Sequence, residues 1–211
     1  LTEAAASYRA VLAVDPRHAD AHHLMGLIAL GAGAVAEAAT HFAVLIEARP
    51  TVAEYRSNHG HALRLLGRLA EAEAELLEAT RLEPGLVDSW INLGLVRLDR
   101  EDPAGAVAAL EVAALRAPRS ALAHLNLGTA YQRAGGIEDA LREYRAAADL
   151  AVDLAPAHRN AGVAAQLLGR LDEAIGAYRR ALTLVPDDPD VLTNLGVALV
   201  AAGDLPAALA A

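Results

Sequence analysis

Six glycines, Gly26, Gly60, Gly94, Gly128, Gly162 and Gly196, recur every 34 residues without a slip. Pro16, Pro50, Pro84 and Pro118 keep the same step, and Pro186 rejoins it after one miss at Val152. A fixed period of this size marks stacked supersecondary units, each burying its apolar face against the next, rather than one closed core.

With the glycine placed at position 8, the chain divides into a partial unit 1–18, full units 19–52, 53–86, 87–120, 121–154 and 155–188, and a partial unit 189–211. Apolar residues at three- and four-residue spacing in both halves of each unit predict two amphipathic helices. Position 20 is alanine throughout (Ala4, Ala38, Ala72, Ala106, Ala140, Ala174, Ala208), and position 24 is large (Tyr8, Phe42, Leu76, Leu110, Tyr144, Tyr178). Small residues at 8 and 20 let the two helices of a unit close up, and the large residue at 24 fills the space beside that contact. Gly33, Gly67, Gly135, Gly169 and Gly203, all at position 15, suit the left-handed residue that ends a helix; Glu101 stands there in one unit. Proline at position 32 stops the second helix. Val152 in that place, with Pro156 four residues on, predicts a second helix about a turn longer in that unit. Asp102-Pro103 and Asp188-Pro189 read as a capping acid before a first-turn proline.

The unit resembles the tetratricopeptide repeat. Trp90, Leu93, Gly94, Ala106 and Pro118 match five of the six signature positions within a single unit, and the register runs through the whole chain. The resemblance implies an all-α fold, a right-handed α-solenoid of stacked antiparallel helix pairs, with residues 1–211 forming a single solenoid. Departures are confined to side chains: His22, His124, His158 and Arg56 at position 4, and His59 where leucine is usual.

Composition narrows the classes of function. Aromatic residues make up only 3%, and alanine supplies much of the 55% hydrophobic fraction, as suits helices in close contact. No run approaches about 18 uninterrupted apolar residues, so no membrane-spanning helix is expected. Cysteine is absent, which excludes disulfides and thiolate chemistry. All 18 basic residues are arginine, so neither a Schiff-base lysine nor a phosphate-loop lysine is available. A net charge of −9 argues against nucleic acid or an anionic membrane as partner. The chain opens inside the second helix of one unit and closes inside another, at Ala207-Ala208-Leu209-Ala210-Ala211. It is therefore expected to be a fragment of a longer protein, and a cytoplasmic location is expected for it.

No residue set reads as catalytic, and no cofactor is implied. His22 and His23 are adjacent, and His59 and His61 are two apart, so each pair points to different helix faces. Packing roles are favoured over a metal site for these histidines. Gly31-Ala32-Gly33-Ala34-Val35-Ala36 mimics a dinucleotide fingerprint, but it sits at a helix end without the strand that motif requires. Ser7, Ser57, Ser89 and Ser120 lie in no nucleophile-elbow context.

The remaining candidate is a ladder: Asn58, Asn92, Asn126, Asn160 and Asn194 hold position 6 in five consecutive units. In tetratricopeptide arrays the first helices line a concave surface and position 6 faces it, so the resemblance implies a peptide-binding role for these five residues. Packed helices lie about 8–10 Å apart and an extended peptide advances about 3.3 Å per residue. One asparagine per unit would then meet about every third peptide residue. The alternative, that these side chains bond within the scaffold, stays open. Asp20, Glu54, Asp88 and Asp190 at position 2 make an acidic rim that favours a neutral or basic segment. His23, His61, Arg64, Thr129, Gln132, Arg133, Arg159 and Gln166 complete the polar groove positions.

The function expected is a protein–protein interaction scaffold that binds an extended polypeptide. The alternative is the substrate-recognition arm of a transferase whose catalytic domain lies outside this chain. The ladder is similar to that in the repeat regions of bacterial O-linked N-acetylglucosamine transferase-like proteins. Self-association through exposed repeat ends is a third expectation.

Overall fold

The computed structural model describes residues 2–204; Ala208 and the rest of the Ala207–Ala211 ending lie outside the described residues. All regular structure among the described residues is α-helical. The elements are α1 (Thr2–Val14), α2 (Ala19–Gly31), α3 (Val35–Ala48), α4 (Ala53–Leu65), α5 (Leu69–Leu82), α6 (Val87–Asp99), α7 (Pro103–Arg116), α8 (Ala121–Arg133), α9 (Ile137–Leu150), α10 (Ala155–Leu167), α11 (Leu171–Leu184) and α12 (Pro189–Ala201). Connections of only a few residues reverse the chain, so consecutive helices run antiparallel.

Two compact bodies are present, one ending at Asp102 and one starting at Pro103. In the first, each helix from α1 to α6 packs on its successor, and α4 also meets α6. In the second, α7 to α12 follow the same order. There the first helices also meet one another, α8 with α10 and α10 with α12, while α9 and α11 show no backbone approach of that extent. The first-helix side is thus the tighter side of this body.

The packing inside a repeat centres on position 8. A Cβ added at Gly26 would fall 2.6 Å from the Phe42 ring, at Gly60 2.6 Å from Leu76, at Gly128 2.7 Å from Tyr144 and at Gly162 2.5 Å from Tyr178. The large residue at position 24 therefore rests directly on the glycine rather than beside it. Phe42, Leu76, Tyr144 and Tyr178 are all essentially fully buried there.

Each first helix from α2 onward ends in one repeated motif. The Gly33 N–H bonds to the Leu30 carbonyl and the Ala34 N–H to the Ala29 carbonyl, and the pattern returns after α4, α6, α8, α10 and α12. The residue at position 15 has positive φ: 75° at Gly33, 73° at Gly67, 87° at Gly135, 72° at Gly169 and 84° at Gly203. Glu101 is forced to 61° in the same role. These are Schellman ends, which need a left-handed residue.

One expectation fails. α9 stops at Leu150 and has 14 residues, the same length as α3, α5, α7 and α11, despite Val152 in place of proline. Ala151, which caps α9, takes φ −139° and ψ 90°, close to the values at Arg49, Glu83 and Val185 in the other repeats. The turn is held from outside: His158 Nε2 lies 3.0 Å from the Val152 carbonyl oxygen and donates to it.

That contact explains the polar residues at position 4. His22 Nε2 reaches the Pro16 carbonyl at 2.9 Å, Arg56 Nε the Pro50 carbonyl at 2.9 Å, Trp90 Nε1 the Pro84 carbonyl at 3.0 Å, and His124 Nε2 the Pro118 carbonyl at 3.2 Å. Position 4 delivers an N–H to the loop six residues upstream, and histidine, arginine and tryptophan can all do so. A carbonyl only accepts, so each of these histidines carries a proton on Nε2. In the first body, His41 Nδ1 lies 2.8 Å from His22 Nδ1, which leaves His41 as the donor.

Candidate peptide-binding site

Position 6 lies one turn from positions 2 and 9 on the same helix face. The structure places all five ladder asparagines there, each half-buried. Their partners differ. On α4, Asn58 Nδ2 lies 3.4 Å from His23 Nε2 of α2, and the same ring nitrogen lies 3.5 Å from Glu54. On α6, the Asn92 side chain faces the His61 ring of α4. Arg64 of α4 donates to Asp99 of α6 at 2.9 Å. In the first body this face is therefore a polar seam between neighbouring repeats. Burial, with Arg64 beside it, pushes His61 below the usual histidine pKa, and the neighbouring Asn92 amide opposes part of that shift.

The second body is more open. Here Tyr144 of α9 sends its hydroxyl through to the first-helix face, where it donates to Gln132 Oε1 at 2.8 Å and lies 3.4 Å from Thr129 Oγ1. Asn160 of α10 lines the same side of the site, facing that hydroxyl. Burial raises the Tyr144 pKa, and the neighbouring Thr129 and Asn160 side chains pull partly against that rise. Thr129, Gln132, Arg133, Tyr144, Asn160 and Val163 surround a cavity of about 350 Å³. Arg133 is exposed, and among the described residues no carboxylate lies within ion-pairing distance of it. Asn126 of α8 and Asn194 of α12 have no side-chain hydrogen-bond partner among the described residues.

Thr129, Gln132, Arg133 and Asn160, read from the sequence as groove positions, are thus brought together. Tyr144 is an addition: its position 24 predicts packing alone. Its signal lies within the repeats, because tyrosine at position 24 accompanies glutamine at position 12 twice. Tyr178 repeats the bond with Gln166 at 2.8 Å, and burial lifts its pKa to about 12.

The tetratricopeptide repeat model matches residues 1–53, 57–121 and 91–149, and a second TPR repeat model matches residues 167–203. The chain belongs to the tetratricopeptide repeat family. Members are typically protein-interaction scaffolds and usually non-catalytic. A 141-residue stretch is 33% identical to Protein FlbA of Caulobacter vibrioides, covering 67% of this chain and 24% of FlbA, so the match spans about a quarter of that protein. Among solved structures, PilW, a widely conserved type IV pilus biogenesis factor, aligns with a TM-score of 0.80 at 22% identity over 90% of this chain and 88% of PilW. YrrB, a TPR protein with an unusual peptide-binding site, aligns with a TM-score of 0.68 at 19% identity over 90% of this chain and 97% of YrrB. Both likenesses establish the fold. No helix among the described residues is long and apolar enough to cross a membrane.

Proposed function

We propose that the first-helix face binds an extended polypeptide segment, chiefly through the segment's backbone. The observation that carries this reading is the cavity at Asn160, where amide, hydroxyl and guanidinium groups converge on open space. A peptide group offers one donor and one acceptor, and the side chains of asparagine and glutamine offer the same pair. Recognition of this kind tolerates many sequences.

Asn126 and Asn194, with amides uncommitted among the described residues, are the primary grips, and Asn160 holds the cavity between them. Asn58 joins the same row through the amide atoms not engaged by His23, and Asn92 beside His61 continues it. The acids at position 2 favour a neutral or basic segment, and YrrB supplies a precedent for peptide binding on this fold. The test is to follow the side-chain amide signals of the five asparagines by NMR while adding an unstructured peptide of glycine, serine and arginine. Saturable shifts at Asn126, Asn160 and Asn194 are expected. The absence of a saturable shift at these three amides would overturn the assignment.

A further inference from the structure

The repeats of the second body differ in what they place opposite position 4. In residues 121–154, His124 Nδ1 lies 2.8 Å from Glu143, and Glu143 is also held by Arg142 at 3.2 Å. In the first body, Arg56 finds Glu75 at 2.6 Å and His22 finds His41 at 2.8 Å. Each of these partners stands at position 23. In residues 155–188 the equivalents of Arg142 and Glu143 are Gly176 and Ala177. His158 still donates Nε2–H to the Val152 carbonyl, but its Nδ1 has no partner among the described residues.

Deleting two long side chains leaves a hollow. A cavity of about 520 Å³ opens between α9, α10 and α11, with His158, Gly176, Ala177 and Val152 on its walls. A Cβ at Gly176 would meet nothing within 4 Å, and Val152 is 72% exposed. Arg145 and Asp149 of α9 and Glu173 and Arg180 of α11 stand around it. Arg145 is paired with Glu173, whereas Arg180 has no carboxylate partner among the described residues. The two arginines balance the two acids, so a proton on His158 Nδ1 leaves the site with one excess positive charge.

We propose that this cavity receives a glutamate side chain of a partner polypeptide, which takes the place beside His158 that Glu143 holds beside His124. The carboxylate accepts from Nδ1–H of the doubly protonated imidazole, and one proton is taken up as it binds. Its methylene stem lies over Gly176 and Ala177, where the apolar wall is bare. The site shares no residue with the Asn160 cavity and does not depend on peptide binding there.

The experiment uses this chain near pH 6, where a histidine ring readily takes its second proton. The His158 ring signals are followed by NMR during addition of N-acetyl-Ala-Glu-Ala-amide, its glutamine analogue, or sodium acetate. A saturable shift of His158 is expected with the glutamate peptide, and affinity about tenfold weaker or less with the analogue. His124, already occupied by Glu143, should not respond. A177E, which supplies the acid in cis, and A177Q, which fills the space without charge, should each abolish the response. Three results would overturn the proposal: no shift at His158, a shift that survives in either folded variant, or an equal response to acetate, which would mark a plain anion site.

Discussion

A methyl group added at Gly128 would lie 2.7 Å from the Tyr144 ring and 3.2 Å from the Ala140 carbonyl oxygen. The ring can yield a little, but the backbone cannot, so Gly128→Ala should cost about 1–3 kcal/mol by overpacking. Gly31→Ala, with nothing within 4 Å, is the control and should not lower stability. Urea unfolding of the two variants checks the pair. Glu101 carries the opposite signature, a side chain at φ 61° where every other repeat has glycine. Relief of that left-handed strain predicts that Glu101→Gly gains about 1 kcal/mol, read as a higher Tm. Two histidines add a pH dependence. Burial first, then the neighbouring His22, lowers the His41 pKa from 6.5, and burial with Arg64 lowers that of His61. A depressed histidine pKa means the folded chain binds fewer protons than the unfolded one. Stability from these sites is complete above about pH 6.5 and drains away as pH falls through the folded pKa values. Melting curves at about pH 7.5 and 5.5 should show a fall that shrinks in His61→Gln.

At the level of elements, the helix ends carry most of the repeat's information. The Schellman turns were legible because only glycine sits comfortably at positive φ, and the period displays five such glycines. Position-32 proline predicts the stop, yet α9 ends in register without it. The stop is instead the extended residue before it, and in five turns an N–H from position 4 also reaches the position-32 carbonyl. That contact joins residues six apart through a loop, and no helical or strand period encodes it. It also makes sense of the position-4 histidines, whose partner no spacing in the sequence reveals. Since Ala151 already has the φ and ψ of its counterparts, Val152→Pro should fit and gain about 0.4–1 kcal/mol through the unfolded chain. A fall in Tm would mean that the Val152 turn differs from the proline-bearing ones in a way φ and ψ at Ala151 do not capture.

Across the whole molecule, fold and site were legible to different depths for a physical reason. Steric demands such as glycine under a ring leave one residue type per position, so a 34-residue period displays them openly. Hydrogen bonding does not. An asparagine amide satisfies a neighbouring ring or a peptide group equally well: Asn58 is drawn into the scaffold by His23, and Asn92 and Asn160 face His61 and Tyr144. Asn126 separates the two uses because it has no side-chain partner among the described residues to lose. The most direct measurement is therefore the affinity of Asn126→Ala, with Asn194→Ala beside it, for the glycine–serine–arginine peptide, together with the melting temperature of each variant. The account predicts binding about tenfold weaker in each, equivalent to about 1.4 kcal/mol, with melting unchanged. Undiminished binding, or a loss of stability in its place, would assign the ladder to the scaffold and contradict the proposed face.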